Sequence, residues 1–192
     1  MKNVIILGAG GNIAKHVIDM LVKKDGINLT LFLRNKNRLK NSNISNSRII
    51  EGNVLDYKQL KDALKGQDIV YANLAGDLEN MAKNIVEAMD ENNVKRIIFI
   101  CSIGIYSIPL KPVLKPYRAA ADVIEASDLE YTILRPTWFT NVDEVDYEIT
   151  KKSEPEKGSV ISQKSLAVFI TKIIESPEDY VRENLSINKP GS

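Results

Sequence analysis

Val4-Ile5-Ile6-Leu7-Gly8-Ala9-Gly10-Gly11-Asn12-Ile13-Ala14 decides how this chain is read. Four consecutive apolar residues predict a buried strand, the glycines a tight turn, and the residues after them the start of a helix. A strand that runs through glycines into a helix brings backbone N–H groups up to a phosphate. Small residues let a dinucleotide pyrophosphate approach, and the helix N-terminus adds about half a positive charge to meet it. The spacing Gly8-x-x-Gly11-x-x-Ala14 departs from the usual G-x-G-x-x-G, although Gly8 and Gly10 fit its first half. Alone the motif is weak, because glycine turns after strands are common. Its weight comes from what surrounds it.

The 192 residues suffice for one domain with a full core, 1–192, and are too few for two of ordinary size. Apolar residues make up 44% and charged residues 27%, a globular composition. A net charge of +1 provides no general basic face for nucleic acid or an anionic membrane. No apolar run approaches the roughly 18 residues of a membrane span. The chain opens directly on a core strand, so no signal peptide is read and the cytoplasm is the expected compartment. A single cysteine, Cys101, rules out an internal disulfide and argues against a thiolate metal cluster, so no metal is expected.

Strand-like runs at Val4–Leu7, Leu29–Leu33, Arg48–Ile50, Ile69–Ala72, Ile97–Cys101 and Tyr131–Leu134 alternate with helical patterns. The helices show in Ile13, Val17, Met20 and Leu21, in Leu60 with Leu64, in Met81, Ile85, Val86 and Met89, and in Val123 with Ile124. Buried strands separated by helices predict an α/β fold, a Rossmann-type doubly wound parallel sheet flanked by helices, with ligands at the strands' carboxyl ends. Two segments break the rhythm. Tyr106–Tyr117 carries Pro109, Pro112 and Pro116 and reads either as a rigid connection or as a substrate-facing lid. Asn141–Gly158, rich in Asp, Glu and Lys, reads as a mobile, solvated loop. These stretches, about 104–117 and 137–162, form the expected substrate side. Ser162 is a plausible N-cap for a last helix over Leu166–Glu175, and Asp56 for one beginning near Tyr57.

The end of the second strand meets the adenosine ribose in a dinucleotide fold. A carboxylate there selects NAD, and a cation selects the extra phosphate of NADP. Here the chain reads Leu33-Arg34-Asn35-Lys36-Asn37-Arg38, with no acid between Ile27 and Ile50. Arginine's fork suits a phosphate, so NADP(H) is preferred over NAD(H), the bland alternative being a solvated basic loop. Asn53 and Val54 follow the third strand, Asn73-Leu74-Ala75 the fourth, and Ser102 the fifth, where the nicotinamide is expected.

With these residues placed, the chain resembles the atypical short-chain dehydrogenase/reductases of the NmrA-like, NAD(P)H-binding kind. It is also similar to the flavin reductase and biliverdin reductase B proteins of that superfamily. The likeness spans nearly the whole chain. Its carriers are the glycine turn, Arg34-Asn35-x-x-Arg38-Leu39, Gly52-Asn53-Val54-x-Asp56, Asn84-Ile85-Val86-x-Ala88-Met89, Val94-Lys95-Arg96-Ile97, Cys101-Ser102 and Tyr131-Thr132-Ile133-Leu134-Arg135-Pro136. The resemblance implies that Gly8, Gly10, Gly11, Asn12 and Ile13 hold pyrophosphate and Arg34 the ribose phosphate, with Arg38 beside it. It likewise implies Asn53 and Val54 on the adenine side, Ala75 on the ribose side, and Pro136 and Thr137 beside the nicotinamide. The family often has Asp where Asn53 stands.

Typical relatives oxidise alcohols with Tyr-x-x-x-Lys, but Tyr117 is followed four residues later by Ala121, and Tyr106 by Leu110. An unassisted phenol titrates near pH 10, so lowering it to neutrality would cost about 4 kcal/mol. Arg118 stands near the usual lysine position and can hold ribose or a substrate anion, yet it is too basic to shuttle a proton. Hydride transfer to a planar acceptor, such as FMN, FAD or a quinone, fits better, because it needs positioning and takes its proton from solvent. Ser102 and Tyr117 are the catalytic candidates, and Tyr106 and Trp138 the substrate-side ones. Trp138 and Phe139 read either as a stacking surface or as core. The competing reading is a non-catalytic redox sensor. A methyltransferase is disfavoured by Arg34 and the Thr-Ile-Leu-Arg-Pro segment, and P-loop chemistry by the absence of Gly-Lys-Ser/Thr. His16 reads as a surface or packing residue and Cys101 as a buried small hydrophobe. The expected partner is a small-molecule acceptor, and the chain itself a monomer or homodimer.

Overall fold

In a computed structural model, which describes residues 1–39, 44 and 46–192, five helices flank a central sheet of eight strands, and two further strands form a small separate sheet. The first half runs β1 (Lys2–Leu7), α1 (Asn12–Leu21), β2 (Ile27–Leu33), β3 (Arg48–Glu51), α2 (Tyr57–Leu64), β4 (Ile69–Ala72) and α3 (Leu78–Glu91). The second runs β5 (Arg96–Ile100), α4 (Lys115–Glu125), β6 (Glu130–Pro136), β7 (Trp138–Thr140), β8 (Glu148–Lys151), β9 (Val160–Ser162), α5 (Gln163–Glu175) and β10 (Glu183–Asn188). The main sheet is ordered β3-β2-β1-β4-β5-β6-β10-β8, parallel throughout except for β8, which pairs antiparallel with β10. It is the Rossmann-type doubly wound arrangement, and the chain reverses direction across the sheet between β1 and β4. That reversal opens a crevice at the carboxyl ends of the strands.

The apolar runs explain the layers. β4 and β5 are buried along their whole length, as a parallel strand covered on both faces must be. One face carries the α1 stripe (Ile13, Val17, Ile18, Leu21) and the inner side of α5 (Leu166, Phe169, Ile170, Ile173, Ile174). The other face packs Leu60 and Leu64 of α2, Met81, Ile85 and Met89 of α3, and Ala120, Ala121 and Ile124 of α4. Asp56 accepts from the Gln59 N–H at 3.0 Å and Ser162 from the Ser165 N–H at 2.9 Å, so both expected caps form. His16 is exposed and Cys101 buried. No helix among the described residues is long and apolar enough to cross a membrane.

Three readings need correction. Asn141–Gly158 is not a free solvated loop, because it contains β8 and buries Thr150 against β10. Charges at Glu148 and Lys151 obscured a strand only four residues long. β10 was missed for a similar reason: Asn184, Ser186 and Asn188 are all buried, so its polar residues face inward. The Tyr106–Tyr117 connection is shorter than expected, since α4 already begins at Lys115 with Pro116 in its first turn, where a missing N–H costs nothing.

Candidate functional site

A cleft of about 600 Å³ lies over the carboxyl ends of β1, β2, β3 and β4. Its floor is the glycine turn. Gly8 has φ +83°, the left-handed region, and a Cβ there would fall 2.1 Å from the carbonyl oxygen of Asn73. A Cβ on Gly11 would meet the Asn73 side-chain nitrogen at 2.7 Å. The end of β4 thus passes directly over the turn, and Gly8, with its left-handed φ and a backbone oxygen in the way, requires glycine, whereas a side chain at Gly11 would have to turn the Asn73 amide aside.

The hydrogen bonds of the turn show what it offers. The N–H groups of Gly8 and Ala9 donate to the Phe32 carbonyl at 2.9 and 3.2 Å, and that of Gly11 to Gly8 at 3.0 Å. Helix α1 starts immediately afterwards with no side-chain cap on Gly11 and no acid in its first turn. By contrast α2, α3 and α5 are capped by Asp56, Asp77 and Ser162, while α4, also without a side-chain cap, carries Pro116 in its first turn and does not line the cleft. Asn12 and Ile13, the first residues of α1, line the cleft. Uncapped N–H groups with the positive end of a helix dipole behind them are what a pyrophosphate needs, so the residues present fit a dinucleotide.

At one end the cleft is lined by Arg34, Asn35 and Arg38, exposed residues that follow β2. A short 3-10 turn over Lys36–Leu39 folds Arg38 back over Gly10. The Lys36 N–H donates to a Glu51 carboxylate oxygen at 3.0 Å, which places an acid from β3 beside this basic turn. Asn53 and Val54 line the adjoining wall. The Asn53 Oδ1 accepts from the Leu55 N–H at 3.1 Å, and Asn84 of α3 holds the Val54 carbonyl at 3.1 Å. Gly52 is fixed here because a Cβ would lie 2.7 Å from the Phe32 ring.

Of the residues singled out in the sequence, the structure gathers Gly8, Gly10, Gly11, Asn12, Ile13, Arg34, Arg38, Asn53, Val54 and Ala75 around this cleft. Asn35, Asn73, Leu74, Met81, Phe139 and Gln163 join them. Ser102, Tyr106, Tyr117, Arg118, Pro136, Thr137 and Trp138 lie outside its lining. Ser102 is half-buried just past β5, its hydroxyl 3.2 Å from the Ile103 carbonyl. Thr137 is buried and donates to the Ile187 carbonyl at 3.4 Å, while Pro136 closes β6. Trp138 is 80% exposed and Phe139 47%, which excludes the core alternative for Trp138.

Beyond β5 and β6 lies a compact polar cluster. Arg135, only 1% exposed, pairs with the Glu156 carboxylate and donates to Asn184 Oδ1 at 2.8 Å. The second Glu156 oxygen accepts from the Gly104 N–H at 3.0 Å. Arg118, Arg135 and Lys152 lie 4.6, 5.2 and 4.5 Å from the Tyr106 ring centre. The Tyr106 hydroxyl accepts from Asn184 Nδ2 at 2.8 Å and faces Glu125 at 3.4 Å. Burial, reinforced by the Glu125 carboxylate, raises this phenol above its ordinary range. Tyr117 and Arg118 ride on α4, where Arg118 binds Asp122 at 2.8 Å. Cys101 is pushed up to about 12 by burial and holds no thiolate at neutral pH.

A doubly wound sheet with an uncapped glycine turn at its reversal point defines a Rossmann-type dinucleotide-binding protein. This chain belongs to the NAD(P)H-binding family, whose family model matches residues 8–177. It is 52% identical to a Rossmann-fold NAD(P)-binding family protein from Shigella flexneri, with a TM-score of 0.94 over 100% of this chain and 95% of that one. A short-chain dehydrogenase/reductase from Veillonella parvula, solved in complex with NADP, shares the fold at 24% identity, with a TM-score of 0.87 over 99% of this chain and 95% of its own. Cinnamoyl-CoA reductase 1 of Petunia hybrida is 28% identical over 175 residues, which cover 81% of this chain and 50% of the enzyme. The chain spans about half the length of the curated relatives it matches. The family is one that binds NAD(P)H.

Proposed function

We propose that the protein is an NADP(H)-dependent reductase that passes hydride to a small planar acceptor such as a flavin or quinone. The observation that carries the reading is the continuity of the cleft. It begins at Arg34 and Arg38, crosses the glycine turn and ends at Phe139, next to the exposed Trp138. Two arginines at the ribose end favour the additional phosphate of NADP. Exposed aromatic rings at the far end offer a flat surface for a flat acceptor. The reductase name of the Petunia relative and the NADP bound to the Veillonella protein support the same reading.

When bound, the dinucleotide supplies the hydride. The chain's own residues bind, orient and exclude water. Ser102 stands past β5 on the side of the sheet assigned to the nicotinamide, and Pro136 and Thr137 close that side from β6. Tyr117 and Arg118 are assigned to the rim, with Tyr106 behind them. The proton comes from solvent, which suits acceptors whose reduced form is basic enough to take it unaided.

One observation favours a second reading, a redox sensor that binds NADP(H) without turnover. The Tyr106 phenol is already engaged by Asn184 and Glu125, and its ionisation is pushed upward. NADPH oxidation followed at 340 nm with FMN, FAD and a benzoquinone separates the two. Turnover above the uncatalysed rate supports the reductase. Micromolar NADPH binding with no turnover for any of these acceptors overturns it in favour of the sensor.

A further inference from the structure

We propose that Gln163 reads the carboxamide of the nicotinamide, accepting a hydrogen bond from its NH2 group. The inference rests on the binding of a nicotinamide dinucleotide and is independent of turnover. The cleft has two ends separated by the glycine turn. Arg34, Arg38 and Asn53 line the end beyond β2 and β3, on one side of β1. Phe139 stands three residues past the carboxyl end of β6, a strand on the other side of β1, and Gln163 follows Ser162, which pairs with Thr140 of β7. A dinucleotide laid with its pyrophosphate on the turn and its adenosine at the arginines directs its nicotinamide toward Phe139 and Gln163.

Gln163 is prepared for such a contact. It is the first residue of α5, and Ser162 already caps that helix through the Ser165 N–H, so the Gln163 amide has no capping duty. Its Nε2 donates to Asn141 Oδ1 at 2.8 Å, which fixes the orientation of the amide and leaves Oε1 as the acceptor.

Asn141 is itself held in place. The segment it begins is tied to the start of α5 by Lys164–Asp143 at 2.5 Å and by the Ser162 and Ser165 hydroxyls on the Glu144 carbonyl at 2.9 and 3.1 Å. The Asp146 N–H donates to Ser165 Oγ at 3.0 Å, and Lys189 reaches the Glu144 carboxylate at 2.7 Å. A side chain braced before the ligand arrives loses little entropy on binding. A carboxamide offers two N–H donors on a neutral group, which a neutral, fixed carbonyl oxygen matches. A cleft built around such an acceptor discriminates against an analogue that lacks the donor, because the acceptor is then left unpaired.

The test is equilibrium binding of two ligands, NADPH and reduced 3-acetylpyridine adenine dinucleotide phosphate, in which a methyl replaces the carboxamide NH2. Wild-type protein is expected to bind NADPH about tenfold tighter than the analogue, the size of one well-made hydrogen bond. Gln163→Leu should abolish that ratio by weakening NADPH alone. Gln163→Glu, which keeps an acceptor at the same place, should retain a preference for NADPH and serves as the measured variant if Gln163→Leu does not fold. An unchanged ratio in Gln163→Leu, no preference in the wild type, or an equal loss of both ligands would overturn the proposal. Equal loss would put Gln163 against a part of the dinucleotide that both ligands share.

Discussion

Arg38 lies across Gly10: a Cβ on Gly10 would come within 3.2 Å of both Cβ and Cδ of Arg38. The approach brings a side chain that starts on the 3-10 turn after β2 back over the glycine turn after β1. The two arginines that line the cleft are therefore not equivalent. Arg34 stands at the strand end, whereas Arg38 also adjoins the floor on which the pyrophosphate is expected. A branched side chain at Gly10 must displace Arg38, whose own Cβ cannot swing away. Gly10→Val and Arg38→Ala should each weaken NADPH about tenfold, and the double variant little more, because both remove the same contact. Calorimetric titration of the three variants checks this, and full additivity would contradict it.

On the proposed reading, Arg34 sets the cofactor preference. Arg34→Ala should weaken NADPH by about 10- to 100-fold, the loss of a charge-assisted hydrogen bond, and NADH by less than about threefold. Equal losses for both cofactors would leave Arg34 as part of a solvated loop.

Glu51 opposes it. Its carboxylate accepts from the Lys36 N–H and so stands next to the basic turn. Glu51→Gln keeps an acceptor for that N–H while removing the negative charge. NADPH should then bind about two- to fivefold tighter at low ionic strength, an effect that 0.5 M salt should erase by screening. Weaker binding of NADPH to this variant would refute the assignment.

Glu156 neutralises a guanidinium that has almost no contact with water. Burial lowers the Arg135 pKa, yet an arginine remains charged, so removing its carboxylate leaves a buried cation unpaired. Glu156→Ala should cost about 3 kcal/mol and lower the melting temperature by about 6–12 °C. It also frees the Gly104 N–H, so the turn bearing Ser102 should loosen, seen as faster amide exchange across Ser102–Gly104. An unchanged melting temperature would mean that water reaches Arg135.

Cys101 gives a pH prediction. Its thiol is held neutral by burial, with a pKa pushed up from 9.0 to about 12. The unfolded thiol ionises near its ordinary value and the folded one only near the raised value. Above pH 9 the unfolded state therefore binds fewer protons, and stability contributed by the neutral thiol declines as pH rises toward 12. Folded protein should resist a disulfide-exchange reagent at pH 8.5 and react fully only in denaturant. Rapid labelling of the native protein would show that the thiol is accessible.

The parallel strands were legible because a strand buried on both faces has to be apolar, and Ile69–Ala72 falls at the predicted bounds. Asp56 and Ser162 were legible as caps because their side chains act on residues three positions away. β8 and β10 were not. Each carries polar side chains on a buried face, and those find partners far off in the chain, as Asn184 does with Arg135. Gln163 was likewise hidden as a cleft residue, whereas Phe139 was read as either a stacking surface or core, and it lines the cleft. Nothing local marks a glutamine at a helix start as lining a cleft.

The sequence by itself determined the opening strand–glycine turn–helix and the basic turn after β2, because each depends on neighbours a few residues away. Only the tertiary structure decided that the end of β4 crosses close enough to forbid a side chain at Gly8. Only it brought Glu51 to the Lys36 amide, laid Arg38 over Gly10 and carried Phe139 and Gln163 to the cleft. Those relationships join residues far apart along the chain, and they are set by strand order and packing, which no local pattern encodes.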